Sequence, residues 1–312
     1  MFEAVEDYPR TLLELERRFE TDQACRDYLF SLRWPDGFIC PRCGARKAWA
    51  TDRGLWACGQ CHRQTSVIAG TIFQDTHLPL SVWFQAIWQV TSQKTGASAL
   101  GVQRVLGLGS YKTAWTILHK LRRAMVRPSR DRLSGTVEVD ETYVGARETG
   151  LIGRLTVEKS LVLVAAQEDG RRIGRIRMAR VPNLLKETLH GFIAQVVEPG
   201  SVVRTDGLPA YRGMGGYRHD PVVIRRTTET ASELLPRVHR VVSLLKRWLL
   251  GTLHGSFGPD YLDYYLDEFT FRFNRRSSAS RGKLFYRLIQ QAVQVPPVPY
   301  HKIIAPPQVG GT

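Results

Sequence analysis

Two sets of residues in this chain have the types and spacing to hold metal ions. The first is a cysteine quartet. Cys40 and Cys43 form one C-x-x-C and Cys58 and Cys61 form another, with fourteen residues between the pairs. Each C-x-x-C closes a tight turn that aims two thiolates at one point, and two such turns supply the tetrahedral sulfur set that Zn²⁺ takes. A redox role for either pair is the weaker reading, because no thioredoxin-like βαβ pattern surrounds it. His62 follows Cys61 directly, but four thiolates already complete the set, so it reads as a polar surface residue. The fifth cysteine, Cys25, reads as a small buried residue. The second set lies in Thr136–Val144, TVEVDETYV, where Glu138, Asp140 and Glu141 crowd three carboxylates into four positions. Carboxylates this close repel one another unless a cation sits between them. The plainer reading is a solvated strand face with ordinary surface acids.

The acidic stretch is unusual for its setting. The 312 residues hold 44 Lys and Arg against 29 Asp and Glu, a formal net charge of +15. A surplus this large favours a polyanionic partner, most simply nucleic acid. An anionic membrane surface fits less well, since the cations are spread along the chain and do not line one amphipathic helix. No run of eighteen or more apolar residues predicts a membrane span. The N-terminus, MFEAVEDYPR, is acidic and lacks the apolar stretch of a signal peptide. Paired cysteines without a disulfide framework suit a reducing compartment, so a cytoplasmic location is expected. The length allows about two domains, and 43% hydrophobic residues supply a sizeable core.

The elements that must position these residues follow from the pattern. Residues 8–30 read as helix, with Thr21 and Asp22 as a possible break, inside an N-terminal helical segment 1–33. Residues 34–70 read as a zinc ribbon in which Trp49 and Trp56 flank a turn at Thr51–Gly54. Residues 71–127 read as helical. Trp83, Phe84, Ile87, Trp88 and Val90 form an apolar stripe at helix spacing. A short helix over Ala97–Leu106, a glycine turn over Gly107–Gly109 and a longer helix capped by Ser110 then make a helix-turn-helix pattern, with a plain helical hairpin as the alternative. In a DNA reader Lys112, Thr113, Lys120, Arg122 and Arg123 of the second helix would meet the duplex. After the polar break RPSRDR, residues 133–290 become mixed α/β. Strands are expected at Val137–Val144, Ser160–Gln167 and Arg175–Val181, then a helix at Asn183–Val197 and a strand at Val202–Val203 running into Thr205 and Asp206. Val222–Arg225 follows as a further strand, with helices at Pro236–Leu250 and Pro259–Arg275. Residues 291–312 read as a Pro-rich, disordered tail.

This order of strands and helices resembles the ribonuclease-H-like fold, in which an acid on the first strand meets another just after the fourth. Asp140 and Asp206 occupy those places. On the late helix His239 and Lys246 are seven residues apart and share one face. The stretches GTIFQDTHLPLSVWF, EVDETYVGAR, RTDGLPAY, VHRVVSLLKRWLLGTLHG and YLDEFTFRFNRR, in this order over about residues 10–290, resemble the insertion-sequence transposases of the DDE type that carry an N-terminal zinc ribbon. The resemblance implies a catalytic set of Asp140, Asp206, His239 and Lys246, with histidine where most of the superfamily has glutamate. It implies Mg²⁺ or Mn²⁺ on Asp140 and Asp206, His239 as a ligand or a general base, and Lys246 on a DNA phosphate. It also implies terminal repeats and target DNA as partners, a homo-oligomer, most simply a dimer, and a bacterial, nucleoid-associated location when bound. A catalytically inactive, DNA-binding regulator descended from a transposase is the alternative. Of the other acids, Glu138 is expected on the face of Asp140 one pleat further from the strand end, and Glu141 on the opposite face. Glu229 and Glu233 precede the late helix and offer a carboxylate by loop movement. Asp267 and Glu268 lie on the last helix, whose aromatics are expected to pack on the sheet and leave Arg272, Arg275 and Arg276 for DNA phosphates.

Overall fold

The computed structural model describes residues 6–127, 130–145, 159–222, 230–253 and 258–304. In chain order the first elements are α1 (Leu12–Arg18), α2 (Asp22–Arg33), β1 (Ala48–Ala50), β2 (Trp56–Cys58) and β3 (Gln64–Thr65). The helices α3 (Leu80–Ser92), α4 (Ala99–Val105) and α5 (Tyr111–Ala124) follow. Then come β4 (Thr136–Val144), β5 (Ser160–Asp169), β6 (Arg172–Val181), α6 (Lys186–Val196), β7 (Val202–Asp206) and β8 (Arg218–Val222). The chain ends with α7 (Ala231–Leu234), α8 (Pro236–Leu253), α9 (Leu262–Phe273), α10 (Arg281–Ala292) and α11 (Tyr300–Ile304). No helix among the described residues is long and apolar enough to cross a membrane.

Two compact units form, Met1–Arg127 with Ser278–Ala305, and Pro128–Ser277. In the first, hydroxyl caps set the helix starts. Thr21 accepts from the Ala24 amide at the head of α2, and Ser110 accepts from the Thr113 amide at the head of α5. Gly107, at φ +61°, makes the turn between α4 and α5 in a conformation that disfavours side chains. The core is aromatic. Phe19 meets Phe84 edge-on at 4.7 Å, and Phe84 and Trp88 both pack on Phe285 of α10. This departs from the expectation that the catalytic segment runs to residue 290, because α10 completes the core of the N-terminal unit. The expected disordered tail is also shorter than residues 291–312: α11 is helical and its Ile303 is buried.

The second unit is a five-stranded sheet in the order β6-β5-β4-β7-β8. β4, β5 and β6 pair antiparallel, while β7 pairs parallel with both β4 and β8. This mixed arrangement is the ribonuclease-H-like one. One face buries Val162, Val164, Ala166, Ile176 and Met178 under α8 and α9, including Val238, Val241, Leu245 and Phe269. The other buries Val137, Val139, Leu163 and Ala165 under α6, with Tyr211 in the same cluster. The alternation of β4 and β5 thus reads straight through to the two layers. The exposed edge of β6 is closed by Asn274, whose amide accepts from the Ile176 N–H at 2.7 Å and donates to the Ile176 carbonyl at 3.1 Å. The last described strand covers Arg218–Val222, and of the expected strand Val222–Arg225 residues 223–225 lie outside the described residues.

The chain ends of the first unit meet at one glycine. A Cβ on Gly282 of α10 would land on the Pro9 carbonyl, and the same segment is held by Glu6, which pairs with Lys283 at 2.8 Å and with Arg287. Gly282→Ala is therefore expected to destabilise the unit by about 1–3 kcal/mol, the usual cost of overpacking. Chemical denaturation of the two proteins measures this, and an unchanged midpoint would show that the approach is loose.

Candidate active site and metal centre

The cysteine quartet closes as its spacing predicts. The Cys40 and Cys61 sulfurs are 3.6 Å apart, as are those of Cys43 and Cys58, and all four lie within 4.8 Å of one another. A tetrahedron with Zn–S bonds of about 2.3 Å has edges of about 3.8 Å, so the quartet fits zinc. The Gln60 amide points at the Cys58 sulfur at 3.4 Å, which stabilises a thiolate. The three strands around it, β1-β2-β3, hold only eight residues, too few for a core of their own. Phe30 of α2 stacks on Trp56 at 4.2 Å and ties the ribbon to the helices. Cys25 is fully buried and its thiol is pushed up to about 12 by burial, then by Asp22, which leaves it inert.

The second site lies where β4 and β7 part. The parallel ladder pairs Thr136 with Val202, Val137 with Val203 and Glu138 with Arg204, and no pair follows. Asp140 and Asp206 each stand two residues past the last pair, Asp206 at the carboxyl end of β7 and Asp140 midway along β4, whose second half pairs only with β5 among the described residues. Asp140, Glu141 and Asp206 place carboxylate oxygens within 4.8 Å of one another. Three half-buried oxygen donors converging on one point fit a hard divalent cation. Asp206 also accepts from the Leu208 amide at 3.1 Å, which fixes the turn after β7.

Glu141 corrects an expectation. It leaves β4 on the α6 face, opposite Asp140, yet its carboxylate reaches the same point. Beyond Glu138 the β7 side of β4 has no ladder partner, so a long side chain can pass around the open edge. The buried Tyr211 hydroxyl stands 3.5 Å from the Glu141 carboxylate. Burial first, then the charges of Glu141, Asp140 and Asp206, push the Tyr211 pKa up, so the hydroxyl stays protonated as a donor. Glu138, expected on the face of Asp140, is on that face but wholly buried against the start of α8. Glu233 is committed to the Thr230 amide and hydroxyl at 2.6 and 2.8 Å, and Glu229 lies outside the described residues.

α8 carries the other two expected residues. The His239 Nε2 lies 3.6 Å from the Asp140 carboxylate. Burial holds its pKa below the usual histidine value, against the opposing charge of Glu138, so the ring is neutral at pH 7 with a lone pair to offer. Lys246, two turns on, is exposed.

Residues 132–274 match the ISXO2-like transposase domain and residues 20–64 match the transposase zinc-ribbon domain. The chain thus carries the two domains of a DDE-type transposase with an N-terminal zinc ribbon. It is also 25% identical, over 82% of its length and 92% of the relative's, to an uncharacterized protein in transposable element ISH50 of Halobacterium salinarum.

The transposase places its expected DNA-facing cations unevenly. Lys112 is exposed, with its ammonium 4.0 Å above the Tyr300 ring. Thr113, Lys120 and Arg123 are partly exposed, with Lys120 reaching back over Trp83. Arg122 is 2% exposed, which removes it from a DNA-facing set. The three arginines of α9 and its end make contacts within their own unit, although Arg276 stays exposed and Arg272 and Arg275 are half-buried. Arg272 lies 3.9 Å from the buried Glu268. Arg275 stacks on Phe271 at 3.9 Å and donates to its carbonyl. Arg276 stacks on Phe273 and donates to the Ile173 and Gly174 carbonyls of β6. Arg275 and Arg276 thus contact rings and carbonyls within their own unit, and Arg272 faces a carboxylate there. Sequence reasoning named Glu141 in the acidic stretch but placed it on the opposite face, and it missed Tyr211 and the ties of Glu138. Glu141 and Tyr211 both carried a signal, through EVDETYVGAR and RTDGLPAY.

Two outcomes follow. Cys58→Ser is expected to lose its stoichiometric zinc, read by elemental analysis, and to unravel the ribbon; full zinc retention would remove Cys58 from the set. Arg276→Ala is expected to lower the melting temperature while leaving the salt dependence of DNA binding unchanged, because no phosphate contact is lost. A shallower salt slope would return Arg276 to the DNA surface.

Proposed function

We propose that this chain is an insertion-sequence transposase that binds the terminal inverted repeats of its element and catalyses metal-dependent DNA strand cleavage and strand transfer. The observation that carries the reading is the meeting of Asp140, Glu141 and Asp206 at the parting of two parallel strands, with His239 beside Asp140. A divalent cation there supplies Lewis acidity for phosphodiester chemistry, with Mg²⁺ or Mn²⁺ suited to oxygen donors and Mn²⁺ better suited to an added imidazole. Asp140, Asp206 and Glu141 hold the charge, and Tyr211 steadies Glu141 by donating to it. Neutral His239 serves as a further ligand or accepts the proton of the attacking water or 3′-hydroxyl. That oxygen bonds to phosphorus as the 3′ oxygen of the scissile bond leaves. Lys246 holds a neighbouring phosphate in line.

End recognition falls to the N-terminal unit. The zinc ribbon and the α4–turn–α5 pair serve as the DNA reader, with Lys112 and Thr113 on the first turn of α5 toward base edges and Lys120 and Arg123 on phosphates. Pairing two element ends requires two copies, so a dimer is the working assembly, acting on DNA in the cytoplasm.

The test is cleavage and joining of labelled end DNA by the full chain. Asp140→Ala and Asp206→Ala are expected to lose roughly a thousandfold or more in rate, since several kcal/mol of transition-state stabilisation depend on the site. Glu141→Gln is expected to follow them, and His239→Ala to lose activity as well. Wild type as inactive as these variants in both Mg²⁺ and Mn²⁺, while still binding end DNA, would replace this reading with the DNA-binding regulator.

A further inference from the structure

Glu138 has no place in the acid cluster, yet it is the most completely buried carboxylate beside it. Its side chain is 0% exposed, and among the described residues its side-chain hydrogen bonds all go to the start of α8. Helix N-termini leave backbone N–H groups without intrahelical acceptors, and a local Ser, Thr, Asp or Asn ordinarily supplies one. Before Pro236 the chain offers Leu235 instead. Glu138 takes over that role from the sheet. One carboxylate oxygen accepts from the Arg237 amide at 2.7 Å and the Val238 amide at 2.9 Å. The other accepts from the Arg237 guanidinium at 2.9 Å. That guanidinium continues to Glu168 of β5 at 2.7 Å and to the Gly170 carbonyl at 2.8 Å.

The offsets give this clamp a consequence for the site. Glu138 is two residues before Asp140 on β4, and Arg237 is two residues before His239 on α8. The tie therefore joins the strand that carries the acid to the helix turn that carries the imidazole, one step behind the point where the two side chains stand 3.6 Å apart. With its oxygens filled by three donors, Glu138 is also withheld from any cation at the cluster. We propose that Glu138 is a positioning residue: by clamping the first turn of α8 to β4 it fixes His239 against Asp140, and so sets the affinity of the acid cluster for a divalent cation. The inference rests on the metal-site reading above.

Titration of Mn²⁺ into the full-length protein without DNA, followed by the paramagnetic signal of free Mn²⁺, reads this directly. Asp140→Ala comes first: binding as tight as wild type would remove the metal-site reading itself. With that reading intact, Glu138→Gln is expected to weaken Mn²⁺ about tenfold, the size usual for a residue that orients a ligand. In a His239→Ala background the same change is expected to have less than about a twofold effect, because the path through His239 is already cut. Equal losses in both backgrounds, or a lower melting temperature with Mn²⁺ affinity unchanged, would overturn the proposal and leave Glu138 a structural cap. Should Glu138→Gln fail to fold, Glu168→Ala loosens Arg237 from its outer side. It carries the same expectation at smaller size: a loss of Mn²⁺ affinity that disappears with His239→Ala, with persistence there counting against the clamp.

Discussion

The short parallel pairing of β4 with β7 is the constraint on which the site depends. Three residue pairs fix it, and they end at Glu138 and Arg204. Counting two residues on from each brings Asp140 level with Asp206 across the gap, although 66 positions separate them in the chain. Because side chains alternate along a strand, a slip of one residue would send one acid to the opposite layer. The register is protected by burial on both faces, with Val137, Val139 and Val203 packed under α6 and the even positions of β5 packed under α8. The hydrophobic pattern thus sets the relative place of two carboxylates that contribute nothing to the hydrophobic core.

The same geometry creates an electrostatic cost. Two unit charges no more than 4.8 Å apart repel by roughly 3 kcal/mol or more at the effective dielectric of a protein surface. Three such pairs at one point make the cluster unfavourable in isolation, and a divalent cation turns each repulsion into a shared attraction. The neighbours fit that arrangement. Tyr211 stays protonated and donates to one carboxylate, His239 stays neutral, and the nearest further acid, Glu138, is paired away with Arg237. A second buried carboxylate with free lone pairs beside this cluster would compete for the cation, so its neutralisation by the helix N-terminus serves charge balance as well as anchorage.

How much of this was legible depends on what kind of information each feature carries. The zinc ribbon was legible because ligand spacing is local: two C-x-x-C turns define it without reference to the rest of the chain. The Ser110 cap and the break at Thr21 were legible for the same reason. Asp140 and Asp206 needed the order of the strands, a nonlocal fact that only the resemblance supplied. Glu141 was misread because alternation describes where a side chain leaves the strand, and the open edge beyond Glu138 decides where it ends. For Arg272, Arg275 and Arg276 the sequence is silent, because a basic cluster on a helix end looks the same whether its guanidiniums face phosphates or meet Glu268, Phe271, Phe273 and the carbonyls of β6.

The assignment of α10 was illegible for a further reason, and it bears on how the protein is made. Contiguity in sequence suggests that Ser280–Ala292 belongs with the catalytic sheet, but its apolar positions Phe285, Leu288 and Ile289 are buried in the N-terminal unit, where Phe285 meets Phe19, Phe84 and Trp88. The N-terminal unit therefore lacks part of its aromatic core until nearly the whole chain has been synthesised. The zinc ribbon escapes this delay, since metal binding supplies its folding energy locally. The helix that carries Lys112 and Thr113 does not, because α5 packs on α10, as does α3. A chain interrupted within the catalytic sheet would leave Phe84 and Trp88 without the ring that covers them. Completion of the N-terminal unit is thus tied by its core packing to synthesis of the whole five-stranded-sheet unit that precedes α10.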